Sequence, residues 1–397
     1  MNQTSKSSDS YHDLPLAGLV VLELGTIIAG PFAGSLLADL GALVIKIEQP
    51  NQGDGLRNSG PVIDGVSIWW GVASRNKKCI SLDLKSPIGH QTFCHLIAKA
   101  DVLIENYRPG VLDRLDLSVQ KMHLMNSKLI VLSISGYGQD GINSQKPGFG
   151  KIAEGLSGIV PLTGKPTEPP LFTGFSLADT SAGLYGAFLI NVLLAKGSEA
   201  KNIHLDLALY EPLLKMLEFQ FHTSDELERT GSNHPYSWGM KSFSESLPAF
   251  QTRDKKWVQL QIDQNATTII LQECGILPDQ KMADLEIDQV IRAWLSTYRC
   301  EDALELLASL HIAACQIQDG QSIAQQAYFA MRGDIELVKH PELGQFPVPG
   351  FFPKYARTVN HTKFRATEIG ADNDFIFREF LHLSEIEISQ IKAHQKT

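Results

Sequence analysis

The sequence predicts an α/β protein: a Rossmann-like parallel sheet with helices on both faces, and a smaller α/β domain. Three observations carry this. The first third alternates short, β-branched apolar runs with helical patterns. Past residue 251 the pattern changes, and WVQLQI (257–262) alternates as a half-buried strand. The 397 residues are enough for two domains rather than one.

The elements follow in order. LVVLEL (19–24) is a continuous apolar run with one Glu, a buried strand by length and branching. Residues 25–30 form a glycine-bearing loop. Pro31 sits where a first helical turn tolerates proline, and Gly41 where a helix stops. ALVIKI (42–47) is the second strand, and 79–84, 102–105 and 129–133 are further strands, with a helix over 87–98. Strand and helix in turn call for parallel pairing. Residues 196 to 230 read as a mostly helical connection, and helical segments surround 290–310. HPELGQFPVPGFFP (340–353) is too rich in Pro and Gly for anything but loop or edge strand. A last helix begins near Leu383.

Composition narrows the function. Apolar residues make up 43% and charged residues 20%, ordinary for a globular chain, and the net charge is -9. That balance argues against a coat on nucleic acid or on an anionic membrane, while leaving room for an anionic small ligand in a local basic pocket. The five cysteines (79, 94, 274, 300, 315) show no CxxC pair and no metal-ligand spacing. They indicate a reducing, cytoplasmic setting and no metal site. Cys315 is expected as a buried small hydrophobe. Residues 1–13 are polar and lack the pattern of a secretory signal, and the longest apolar stretch, 187–195, is too short for a membrane span.

Local chemistry gathers at two places. In LADTSAGLYGAFLINVLLAKG, Asp179 is placed as an N-cap, with Lys196 and Gly197 at the far end of a helix apolar almost all round. On its own this reads as a capping residue. Two prolines and a glycine upstream bring the chain in as an irregular loop, and the small residues Ser176, Ala178, Ser181, Ala182 and Gly183 leave space around the carboxylate. The second place is GTIIAGPFAG (25–34), in the strand-to-helix position where open α/β sheets bind ligands. Its glycines do not have dinucleotide-fingerprint spacing, which counts against a nicotinamide-dependent dehydrogenase. Arg57, Arg75, Lys77, Lys78, Arg108 and Arg114 cluster at loops after it, as phosphate binding requires, although any one of them could be solvated surface charge.

The ordered motifs GTIIAGPFAGSLLADLGALVIKIE, SRNKKCISLDLKSP, ADVLIENYRPGVLDRL, LSISGYGQDG, PGF and ADTSAG resemble the class III CoA-transferases of the formyl-CoA and carnitine type, with their acyl-CoA racemase relatives. The resemblance implies a large Rossmann-like domain from both chain ends (14–205 and 310–397), a small α/β domain (225–309), and two chains interlocked as a homodimer. It implies a coenzyme A thioester as substrate, with no permanently bound cofactor. Asp179 matches the family nucleophile. The CoA-contacting positions match Thr26, Ile27, Ile28, Ala29, Gln49, Leu82, Asn106, Tyr107, Arg114, Ser135 and Tyr137. Arg57 could hold a CoA phosphate or the second carboxylate of a diacid. Asp179 is expected to have a depressed pKa and to stay ionised.

Departures sharpen the reading. The racemase branch uses a histidine after its Pro-Gly pair, and here Phe149 follows Pro147 and Gly148. Transfer is therefore favoured over racemisation or epimerisation. Ser59 stands where the formyl-CoA branch has a tryptophan, Gln49 replaces a frequent arginine, and no glycine run occurs between 230 and 265. A non-catalytic CoA-binding protein is the remaining alternative.

Overall fold

The computed structural model describes residues 14–163, 169–199, 201–218, 221, 249–276, 282–341, 343–351, 354, 363, 364 and 368–394. The polar tail 1–13 and most of the 230–265 stretch, His234 included, lie outside them. The chain divides into two compact units, Met1–Glu218 with Gly333–Thr397, and Phe219–Arg332.

The first unit is built on a six-stranded sheet. Its strands are β1 (Val20–Glu23), β2 (Leu43–Glu48), β5 (Lys78–Ser81), β6 (Val102–Glu105), β7 (Ile130–Ser135) and β8 (Ile203–Ala208), ordered β5-β2-β1-β6-β7-β8. Every pairing is parallel. A two-stranded hairpin, β3 (Val62–Ile63) and β4 (Val66–Ser67), is inserted before β5. Neighbouring residues of each strand serve opposite cores, as the pleat demands. Leu22, Ile45, Ile80 and Leu103 join one cluster, while Val21, Val44, Ile104 and Leu132 join the other. Phe93 and Leu96 of α3 (Pro87–Lys99) cover the first face together with Ile376, Phe377, Ile388 and Ile391 from the end of the chain. The second face is covered by α1 (Ala29–Asp39), α7 (Leu177–Leu194) and α8 (Glu211–Met216).

The remaining helices of this part are α2 (Ile68–Ala73), α4 (Val111–Arg114), α5 (Val119–Met125) and α6 (Gly150–Ser157). β8 corrects the expectation of a mostly helical connection from 196. IHLDLA lies at the sheet edge with His204 and Asp206 facing solvent, and its pairing with β7 decides its state. The chain runs outward through β1, β2 and β5, then returns to the other side of β1 with β6. The loops leaving β1 and β6 thus diverge around one crevice, the switch point of a doubly wound sheet.

The second unit is a three-stranded antiparallel sheet, β9 (Ala249–Gln251), β10 (Trp257–Leu260) and β11 (Ala314–Gln316), in the order β11-β10-β9. Helices Gln264–Glu273, Asp284–Leu295 and Cys300–Ser309 bury Ile270, Ile291, Leu295 and Leu307 against Phe250 and Val258. Pairing of β11 with β10 keeps residues just past 310 in this unit, and the return comes at Gly333. Cys315 lies on β11 with its side chain exposed, not buried as expected, because its strand position points to the solvent face. After the return, β12 (Ile335–His340) and β13 (Gly344–Pro349) pair as an antiparallel ribbon, with Pro347 and Pro349 on the last strand.

Candidate active site

The loop leaving β1 rests on a buried charge cluster. Glu23, Lys46, Asp54 and Lys77 are all at most 2% exposed. Lys46 Nζ lies 3.1 Å from Glu23 Oε1 and 2.7 Å from Asp54 Oδ2, and it donates to the Gly25 carbonyl. Lys77 Nζ lies 2.8 Å from Glu23 Oε2 and donates to Pro31 O at 2.6 Å. Burial pulls the Lys46 pKa down, but Glu23 and Asp54 outweigh it and hold the group above its ordinary value. Burial wins at Lys77, which falls below its ordinary value despite Glu23. At Asp54, Lys46 and the main-chain N–H groups of Leu56 and Ile27 overcome burial and keep the carboxyl low.

This cluster fixes the loop backbone. Ile27 donates its N–H to Asp54 Oδ1 at 3.2 Å. Thr26 donates its N–H to Asn106 Oδ1 at 2.7 Å and accepts from Asn106 Nδ2 at 2.9 Å, which ties the β1 loop to the β6 loop across the switch point. The ties hold Ile27 at φ 64°, a left-handed conformation that costs a β-branched residue about 1–3 kcal/mol. Gly34 lets α1 close over the cluster, since a Cβ there would stand 2.0 Å from Glu23 Oε2.

The other wall comes from α6 and α7. Asp179 is the third residue of α7, whose N-cap is Ser176, so it is not the cap the sequence suggested. The Leu177 N–H is taken by Glu154 Oε1 at 3.1 Å. Gly150, the first residue of α6, sits directly against the Asp179 carboxylate: a Cβ there would meet Asp179 Oδ2 at 1.9 Å. Burial raises Asp179 to a pKa of about 6, the Glu154 carboxylate adds to the rise, and Lys151 opposes it. The expected depression is thereby reversed, because the carboxylate lies in a half-buried pocket with a second carboxylate nearby.

Both walls enclose a cavity of about 320 Å³ lined by Asp179, Thr26, Ile27, Ile28, Ala29, Asn106 and Ser135, seven of the residues singled out from the sequence. Ser135 is 6% exposed, and its hydroxyl has no hydrogen-bond partner among the described residues. The other expected contacts do not line this cavity. Leu82 and Tyr107 pack on the sheet's first core, and Tyr107 donates its N–H to Glu105 Oε2 at 2.8 Å. Gln49 and Arg114 are exposed. Tyr137 stacks behind Gly148, whose Cβ would meet its ring at 2.7 Å. Arg57 binds Glu48 through Nε at 2.7 Å and Nη2 at 2.6 Å, and its guanidinium stacks 3.9 Å from the Trp70 ring centroid. Arg75 is likewise engaged by Asp39, Lys77 by Glu23 and Lys78 by Asp372, so much of the basic cluster is internal structure.

Sequence reasoning missed Lys151 and Leu209 as lining residues, placed Ser176 among the small residues that leave space around Asp179, and named Phe149 only as a departure. For Glu154 a signal existed. The buried positions of α6 are Gly150, Ala153, Glu154 and Ser157, a helical stripe with a carboxylate at its centre.

The CoA-transferase family III sequence profile matches residues 16–373. The chain belongs to CoA-transferase family III. It is similar to the succinyl-CoA–D-citramalate CoA-transferase of Chloroflexus aurantiacus, 30% identical over 96% of this chain and 97% of that protein. It is also similar to the human succinyl-CoA:glutarate CoA-transferase, 28% identical over 97% of this chain and 90% of that one. A CAIB/BAIF family protein from Brucella suis shares the fold, with a TM-score of 0.78 and 25% identity over 93% of this chain and 99% of that structure. This family III chain is an enzyme with CoA-transferase activity that works on CoA thioesters and carboxylic acids. Among the described residues no cluster of His, Cys, Asp and Glu could hold a metal ion.

Proposed function

We propose that the enzyme transfers CoA through covalent intermediates on Asp179. The observation that carries this is the placement of the Asp179 carboxylate in the same cavity as the β1 and β6 loops of the switch point. Asp179 attacks the thioester carbonyl, the C–S bond breaks, and an acyl-aspartyl anhydride and CoA thiolate result. The thiolate attacks Asp179 Cγ, releasing the donor acid as its carboxylate and leaving an aspartyl-CoA thioester. An acceptor carboxylate attacks that thioester and frees the thiolate, which takes the acceptor's acyl group and restores Asp179. No net proton moves, so no general base is required.

The surroundings support these steps. The N-cap of α1, Ile28, brings no side-chain acceptor to the helix, which leaves the N–H of Ala29, a residue lining the cavity, as a donor for a developing oxyanion. The unpartnered Ser135 hydroxyl is a further donor. With a pKa of about 6, Asp179 is mostly ionised at neutral pH and more basic than an ordinary aspartate. Phe149 lines the cavity where a racemase has its histidine, which leaves α-proton transfer without a partner.

The relatives' names make succinyl-CoA the first donor to test. The enzyme is read as a cytoplasmic homodimer, interlocked as in its family. Outward apolar side chains support a second copy as the cover: Ile152 and Leu156 on α6, and Leu184, Phe188 and Val192 on α7. The decisive experiment is a panel of acyl-CoA donors against free acids, with new thioesters read by mass. Asp179→Ala is expected to abolish transfer while CoA binding persists, and wild type given donor alone is expected to carry CoA on the peptide containing Asp179. Full turnover by the alanine variant defeats the proposal.

A further inference from the structure

We infer that Glu154, paired with Lys151, is a positioning residue for Asp179: the pair ties down the segment that delivers α7 and sets the local charge around the nucleophile. This rests on the covalent role of Asp179 proposed above.

The network is dense. Glu154 is 0% exposed. Its carboxylate accepts from Lys151 Nζ at 2.8 and 2.9 Å, from Thr173 Oγ1 at 3.0 Å and from the Leu177 N–H at 3.1 Å. Lys151 Nζ also donates to the carbonyls of Thr173 at 2.8 Å and Phe175 at 2.6 Å. One carboxylate and one ammonium therefore hold residues 173, 175 and 177, the segment that ends two residues before Asp179. A buried carboxylate at this place costs desolvation that a neutral residue of the same shape would avoid. The ammonium that offsets it also lines the cavity.

The charges acting on Asp179 are these two. Glu154 raises its pKa and Lys151 lowers it. The other elements packed on α7 have their ionisable groups engaged elsewhere. On α1, Asp39 stands at the far end and is held by Arg75. β7 carries none. On β8, His204 bonds Ser133 and Asp206 accepts the Gln139 N–H. On α8, Glu211 accepts the Ala208 N–H and Lys215 pairs with Glu218.

Two variants separate tether from charge. Glu154→Gln keeps an acceptor for Leu177 and removes the charge, while Glu154→Ala removes both. The pH dependence of kcat/KM for the acyl-CoA donor is measured for each beside wild type and Asp179→Ala. Both variants should move the acid limb down by roughly 1 pH unit, since a like charge is gone. Glu154→Ala should also lose kcat by about 10²-fold with KM for the donor little changed, the cost of misplacing a reacting group by about an ångström. Glu154→Gln should recover most of that kcat. A wild-type limb in both variants, or full kcat in Glu154→Ala, overturns the inference while an inactive Asp179→Ala leaves the parent reading standing. Turnover by Asp179→Ala overturns the parent reading and this inference with it.

Discussion

At the scale of single residues, the protonation of Asp179 links activity to stability. Its carboxyl is raised to about 6 by burial and by Glu154. In the mechanism proposed above the ionised form attacks the thioester, so kcat/KM should climb through about pH 6 and level off above it. Stability has the opposite sense. A carboxyl whose folded pKa lies above its unfolded value stabilises the fold below about pH 4, and that contribution is lost as pH rises through about 6. Asp179→Asn should therefore match wild type in thermal unfolding at pH 4 and exceed it at pH 8, by about 1–3 kcal/mol. Equal stability at both pH values would show that the Asp179 carboxylate is not held in an unfavourable site. The position after Pro147 and Gly148 is equally legible: Phe149 favoured transfer over racemisation in the sequence, and the residue lines the cavity that holds Asp179.

At the scale of elements, two close approaches assemble the site. α1 passes over Glu23 because Gly34 has no side chain, and α6 begins against Asp179 because Gly150 has none. Neither glycine lies at a turn, and each is a helix residue with its reason in another part of the chain. Gly150→Ala must push the carboxylate or the α6 start aside. The expected result is a loss of kcat on the order of 10²-fold with the overall fold kept, checked by steady-state kinetics and circular dichroism. An alanine variant with normal kcat would mean that Asp179 need not occupy this position. The loop from Gly25 to Pro31 follows the same logic. Its left-handed Ile27 is an outlier that no local propensity favours, and the Asp54, Lys46 and Asn106 ties sustain it.

At the scale of the whole molecule, α7 is 18 residues long and apolar enough to resemble a membrane-spanning helix. Its inner face, including Ala178, Ala182, Gly186 and Ile190, packs in the core. Its outer face leaves Leu184 55% and Phe188 57% exposed. A helix apolar almost all round is expected to be buried all round; here the apolar circumference is shared between the core and an outward stripe. If a second copy covers that stripe, Phe188→Glu should shift the protein towards monomer in sedimentation velocity and lower its thermal stability. An unaltered dimer would move the interface elsewhere.

The sequence by itself determined the α/β alternation, the crevice after the first strand, and the aspartate at the head of an apolar helix. These are local patterns with a period and punctuation of their own, and the ordered motifs joined them into one family. Tertiary structure decided the rest. It paired Arg57, Lys77 and Lys78 with Glu48, Glu23 and Asp372, turned an expected helical connection into the edge strand β8, and raised the Asp179 pKa that the sequence suggested would fall. The reason is common to all three. Charge pairing, strand pairing and desolvation depend on which distant groups end up a few ångströms apart, and residues 23, 46, 54 and 77, or 150, 154 and 179, meet only after the chain has folded.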